Sequence, residues 1–180
     1  MSVASPLLPG VLLLDAPVFR DERGMFVEAY RADRLRQHGI EHDFVQLNQS
    51  RSVRGTLRGM HWQWRRPQAK LVRVTSGTIH DVVVDVRRGS PTFGRWCAVT
   101  LDAAQFQLLY VPIGFAHGFC VLSDSADVEY LCSDLYDPQG EAGLPWDDPG
   151  VAIAWPIDSP LLSPKDRAHP RLASDRHDLL

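Results

Sequence analysis

Turn-forming residues interrupt this chain at short intervals, and that spacing constrains its fold more than any other feature. Pro9-Gly10, Asp21-Glu22-Arg23-Gly24, Ser76-Gly77, Arg88-Gly89-Ser90-Pro91, Pro112-Ile113-Gly114 and Asp137-Pro138-Gln139-Gly140 separate short runs rich in Val, Ile, Phe, Tyr and Trp. Such punctuation is the mark of an antiparallel sandwich or barrel. The pattern predicts strands near 11–14, 25–30, 44–50, 56–62, 69–75, 78–86, 94–101, 107–111, 116–122 and 127–133. One short helix fits Ala32 to His38, with Gly39 as its stop. No repeat, linker or low-complexity segment interrupts the 180 residues, which suit a single domain over 1–180 with a real core. The polar stretch after Pro164 is expected to wrap the surface or a partner.

Alternation places side chains on the strands, because successive residues point to opposite faces. Gln46, Asn48 and Ser50 share one face, opposite Val45 and Leu47. That polar stripe faces either bulk water or a solvated lumen. Tyr130 shares a face with Val128 and Cys132 and is expected to point inward, where its hydroxyl needs a partner. Leu57, Gly59 and His61 share a face, while Arg58, Met60 and Trp62 take the other. On a regular strand Arg58 and His61 therefore cannot enter one cavity. A bulge at Gly59 would reconcile them, or Arg58 serves another part of the ligand or a neighbouring subunit.

The net charge of −3 gives no global reason to expect nucleic acid or an anionic membrane as partner. Met1 to Gly10 lacks a basic leader, and the apolar run Val11–Leu14 is too short for a signal core or a membrane span, so a cytoplasmic protein is expected. Cys97, Cys120 and Cys132, odd in number and set in apolar stretches, read as reduced core thiols. Of 19 basic residues only Lys70 and Lys165 are lysines; the other 17 are arginines. A lysine kept against that bias suggests a task for a compact ammonium able to approach a single oxygen.

The chemistry concentrates in Arg58-Gly59-Met60-His61-Trp62-Gln63, in Lys70 and in Pro112-Ile113-Gly114-Phe115-Ala116-His117-Gly118. A histidine base and a fixed cation suit proton abstraction beside a carbonyl. The Pro-x-Gly-x-x-His turn ending at His117 resembles the second motif of the cupins. Metal-binding cupins join that histidine to a His-x-His pair and a glutamate. Here the first motif offers only His61-Trp62-Gln63, with Lys70 further along, so no metal and no other cofactor is expected.

Further segments extend the resemblance to nearly the whole chain. They are Asp21–Glu28, Gln46–Ser50, Leu57–His61, Lys70–Val72, Asp81–Arg87, Ser90–Gly94, Gly114–Phe119, Trp146–Pro149 and Leu162–Asp166. Together they resemble the dTDP-4-dehydrorhamnose 3,5-epimerase family, metal-free sugar-nucleotide epimerases of all-β, cupin-type jelly-roll fold. The resemblance implies a general base at His61, paired with the carboxylate of Asp166. It implies a proton donor at Tyr130 and, at Lys70, a cation holding the C4 oxygen of the sugar. It places Arg23, Phe26, Glu28, Gln46, Asn48, Arg58, His117, Tyr136, Glu141 and Lys165 against the nucleotide sugar. The implied assembly is a homodimer whose N-terminal strands, around Arg23 to Glu28, reach into the partner's site.

The implied reaction inverts C3 and C5 of dTDP-4-dehydro-6-deoxyglucose through an enolate. Inversion of one centre only, a GDP-linked substrate, a 3,4-ketoisomerase, a non-catalytic sugar-binding cupin and a metal-dependent cupin oxygenase, the last disfavoured by the single histidine of the first motif, are the rival readings. Three stretches depart from the family pattern without touching the acid, base or enolate positions: Gln63–Ala69, Leu135 before Tyr136, and Ala142-Gly143-Leu144-Pro145 before Trp146.

Overall fold

A computed structural model describes residues 3–4 and 8–180. Its strands are β1 (Val3–Ala4), β2 (Leu12–Asp15), β3 (Val18–Asp21), β4 (Gly24–Val27), β5 (Gln46–Val53), β6 (Leu57–Gln63) and β7 (Lys70–Ser76). They continue with β8 (Thr78–Asp85), β9 (Trp96–Asp102), β10 (Gln107–Val111), β11 (Phe115–Val121), β12 (Ser125–Cys132) and β13 (Glu141–Gly143). Helix α1 covers Ala32–Arg36, and a single 3₁₀ turn covers Ala103–Gln105. One sheet has the order β1-β2-β10-β7-β12-β5, a second the order β13-β6-β11-β8-β9, and β3 and β4 form a separate hairpin. Every named strand pairing is antiparallel. This is the jelly-roll layout expected of the chain.

All ten expected strands are present, and the departures have local causes. The strand expected to stop at residue 50 runs on to Val53. There the Arg51 guanidinium donates two 2.6 Å hydrogen bonds to Asp127 on the neighbouring β12, which fastens the extension. The strand expected over 25–30 closes at Val27, because the Glu28 carboxylate turns back to Arg34 (3.1 Å) and Arg31 (3.6 Å) at the entrance to α1. The helix ends at Arg36, and a tighter turn follows in which Gly39 N–H donates to the Arg36 carbonyl. Gly39 has φ +76°, the left-handed stop that glycine supplies. Strands β1, β3 and β13 were not expected.

Two sheets with alternating side chains enclose one core between them and bury a further layer on each outer face. Val72, Leu109 and Val128 from the six-stranded sheet meet Ile79, Val83 and Phe119 from the five-stranded one. Behind the six-stranded sheet, Leu35 and Ile40 around α1 cover Leu71, Leu108 and Tyr110. Behind the five-stranded sheet, Met60, Trp62, Val82 and Val84 lie under Leu172, Leu179 and Leu180. The polar C-terminal stretch thus wraps its own barrel. Trp62 donates its indole N–H to the Asp178 carbonyl at 2.7 Å, and the Arg176 guanidinium lies 4.9 Å from the centre of the Trp62 ring. Cys97, Cys120 and Cys132 are free, as expected.

Candidate active site

At one end of the barrel the apolar filling gives way to a cleft of about 490 Å³, continuous through shared side chains with a second of about 300 Å³. His61, Lys70, Tyr130 and Glu141 line both. His61 on β6 comes from the five-stranded sheet, whereas Lys70, first residue of β7, and Tyr130 on β12 come from the six-stranded sheet. The histidine and the tyrosine therefore stand on facing walls of the cleft.

His61 is held by a residue 105 positions away. His61 Nε2 lies 2.5 Å from Asp166 Oδ1, and the second carboxylate oxygen accepts a 2.8 Å hydrogen bond from Ser163 Oγ. With Nε2 committed to Asp166, Nδ1 is the nitrogen free to take a substrate proton. Burial lowers the pKa of His61 from 6.5; the hydrogen bond and charge of Asp166 oppose that, the Lys70 charge adds to it, and Glu141 opposes. Burial by itself would raise the Asp166 carboxyl, but the His169 and His61 rings and the Ser163 hydroxyl hold it well below the usual carboxylate range.

Burial likewise pushes Lys70 down from 10.5, against the opposing influence of Cys132, Asp81 and Glu141. Its Nζ sits 3.5 Å from the His61 carbonyl oxygen. Tyr130 is pushed up from 10.0, mainly by burial, which keeps its phenol protonated. His117 faces His61 across the β6–β11 pair, and its Nε2 is 2.9 Å from both oxygens of the buried Asp81.

Arg58 and His61 do line the same cleft. The register between β6 and β11 shifts after His117, beside Gly59. Gly59 has φ +123°, and a Cβ placed there would lie 2.5 Å from Gly118 Cα. Only glycine fits that approach, and the irregularity it permits brings both side chains to one side. Arg58 Nε donates to Ser52 Oγ at 2.9 Å. The polar stripe of β5 turns inward: Gln46 and Asn48 line the smaller lobe and Ser50 the larger, with Gln46 Nε2 donating to Asn48 Oδ1 at 2.9 Å.

Glu141, the first residue of β13, accepts a 2.5 Å hydrogen bond from the Tyr136 hydroxyl and pairs with Lys165. That bond pushes the Tyr136 phenol up to about 12. Eleven of the fourteen expected site residues thus line these two lobes. Arg23, Phe26 and Glu28 do not. Arg23 and Phe26 project from the β3–β4 hairpin into solvent, with the Arg23 side chain 85% exposed. Glu28 follows β4, bound to the arginines near α1.

Sequence reading assigned no role to Ser163, Asp81 or His169. Asp81 carried a signal, an acid on the inward face of the apolar Ile79–Val83 run that demands a polar partner. Ser163 and His169 lie outside named strands and helices, where no periodicity marks a direction.

Residues 6–174 match the family model described as dTDP-4-dehydrorhamnose 3,5-epimerase. The dTDP-4-dehydrorhamnose 3,5-epimerase of Neisseria gonorrhoeae is 49% identical over 93% of this chain, which spans 52% of that protein's length. The enzyme of the same name from Methanothermobacter thermautotrophicus is 46% identical over 89% of this chain and 88% of its own. The crystal structure of the dTDP-6-deoxy-D-glucose-3,5-epimerase of Legionella pneumophila in complex with dTDP-4-keto-L-rhamnose superposes with a TM-score of 0.92. Its identity is 43%, over 95% of this chain and 92% of that one.

Proposed function

Since the chain belongs to the dTDP-4-dehydrorhamnose 3,5-epimerase family, we propose that its cleft converts dTDP-4-dehydro-6-deoxyglucose to dTDP-4-dehydro-L-rhamnose. It is an isomerase. The observation that carries this reading is the His61–Asp166 pair set across one cleft from Lys70 and Tyr130.

The 4-keto group acidifies the protons on C3 and C5. His61 Nδ1 removes one, and Asp166, through Nε2, orients the ring and stabilises the imidazolium that forms. The electron pair moves to O4, where the Lys70 ammonium meets charge that is larger in the transition state than in the ground state. Tyr130 returns a proton from the facing wall, which inverts the carbon. Arg58 and Lys165 supply cations for the diphosphate in an otherwise acidic molecule. NMR in heavy water tests the reading. Incubation with dTDP-4-dehydro-6-deoxyglucose should place deuterium at both C3 and C5 of the product; deuterium at neither carbon removes the proposal, and deuterium at one alone restricts it to a single inversion.

The working unit we propose is a homodimer in the cytoplasm. On β5, a sheet edge, the usual pattern is inverted: polar residues face in, while Leu47 and Val53, with Val45 just before the strand, are 60%, 59% and 57% exposed. Phe19, Met25 and Phe26 on the hairpin are also exposed. An apolar outer face beside an open edge suits a second copy. Arg23, Phe26 and Glu28, absent from the cleft of their own chain, would then complete the partner's. The described residues include no helix long and apolar enough to cross a membrane. Sedimentation should show a dimer, and mixing inactive Arg23→Ala and His61→Asn chains should restore activity. An active monomer refutes the dimer; no recovery in subunit-exchanging mixtures refutes the shared site.

A further inference from the structure

Beside the His61–Asp166 pair at the cleft lies a third side chain, His169, that the epimerisation does not use. His61, Asp166 and His169 each offer one ligand atom, and these three atoms lie within 4.8 Å of one another. His61 Nε2 and Asp166 Oδ1 are 2.5 Å apart, and His169 Nε2 is 3.8 Å from Asp166 Oδ1. The two imidazole rings meet edge to face, with centroids 5.4 Å apart. His169 Nε2 is buried and has no hydrogen-bond partner among the described residues. The ring is aimed there by a missing side chain: a Cβ on Gly143 would sit 2.5–2.6 Å from three of its atoms.

We propose that His61, Asp166 and His169 form a binding site for a borderline dication, Zn²⁺ above all, whose occupancy switches the base off. Two imidazoles and a carboxylate are the donor set of many three-ligand zinc sites, in which a water takes the fourth position. Tetrahedral ligands about 2.0–2.2 Å from zinc lie about 3.3–3.5 Å from one another. The observed separations of 2.5 and 3.8 Å bracket that spacing and the third is at most 4.8 Å, so opening the His61–Asp166 contact by about 0.8–1.0 Å and drawing the two imidazoles together would admit the ion. The Lys70 ammonium near His61 opposes a dication, which favours reversible occupancy over a resident ion. This site differs from the metal centre of cupins, for which the sequence lacks the ligands.

Inhibition follows from the tautomer. In the free enzyme Nε2–H of His61 points at Asp166 and Nδ1 carries the lone pair. Zinc takes a lone pair on Nε2, so the one ring proton moves, through water, to Nδ1. A protonated Nδ1 cannot accept a proton from C3 or C5, and no proton is gained or lost overall. The inhibitory half of the proposal rests on His61 as base; the binding half does not.

Calorimetric titration of the metal-stripped protein with zinc chloride tests binding without reference to activity. One zinc per chain is expected. Two variants isolate the third ligand: His169→Phe removes it and keeps the ring volume, and Gly143→Ala displaces it. Both retain His61 and Asp166. Losing a ligand should cost at least what losing an outer-shell partner costs, about 10–100-fold in affinity. In the wild type, zinc should lower kcat and leave KM unchanged, each variant being read against its own zinc-free rate. Equal zinc affinity in all three proteins, no stoichiometric zinc in the wild type, or equal inhibition by Mg²⁺ would overturn the site. Stoichiometric zinc with undiminished turnover would overturn the switch, and with it the role of His61.

Discussion

His61→Asn should abolish deuterium exchange at both C3 and C5 while nucleotide binding survives. One imidazole serves both abstractions, and asparagine keeps a polar group of similar reach but cannot take a proton. General acid–base groups contribute about 10²–10⁴-fold, so a loss of that order is expected in kcat/KM. The same assignment fixes the sign of the pH dependence. Only neutral His61 can act as base, and burial, the largest influence on it, lowers its pKa from 6.5. The acid limb of kcat/KM in the native enzyme should accordingly fall below pH 6.5. Exchange at the native rate in the variant removes His61 as base. An acid limb above 6.5 shows that the Asp166 carboxylate outweighs burial.

Tyr130→Phe should uncouple exchange from epimerisation. Phenylalanine keeps the ring and its packing and deletes the transferable proton. Because His61 and Tyr130 stand on facing sheets, a deuteron returned by His61 restores the original configuration and one delivered by Tyr130 inverts it. The variant should still wash deuterium into the substrate, while net epimerised product falls by about 10²–10⁴-fold. Product at the native rate would assign the proton to water or to Tyr136, which lines the smaller lobe. Loss of exchange as well would give Tyr130 an earlier role, holding the sugar. NMR of the product pool in heavy water reads both.

Most strands were legible because turn residues punctuate them, and the exceptions have physical reasons. Strand β3, Val18–Asp21, is mostly exposed, so burial imposes no alternation on it. Strand β13 has three residues and is defined by its pairing with β6 rather than by its own composition. For β5 the sequence shows two faces but not which is inside, since a wet lumen and bulk solvent favour the same side chains; the structure turns Gln46, Asn48 and Ser50 inward. Strict alternation separated Arg58 from His61, and the irregularity at Gly59 rejoined them, an outcome the glycine left open rather than dictated. Asp166 entered only through family resemblance, because no local pattern links it to a strand 105 residues earlier. His169 escaped even that.

The separation between His61 and Asp166 also orders events at the ribosome. The proposed base, His61, lies in the first half of the chain, and the carboxylate paired with it arrives 105 residues later. At about 5–20 residues per second, that is a delay of about 5–20 s. In that interval most of the barrel strands have been made, yet the imidazole has no partner to choose its tautomer or hold its ring. A nascent chain can therefore have its strands made while His61 still lacks its partner, and the pair forms only when the closing segment, which also covers the five-stranded sheet, docks.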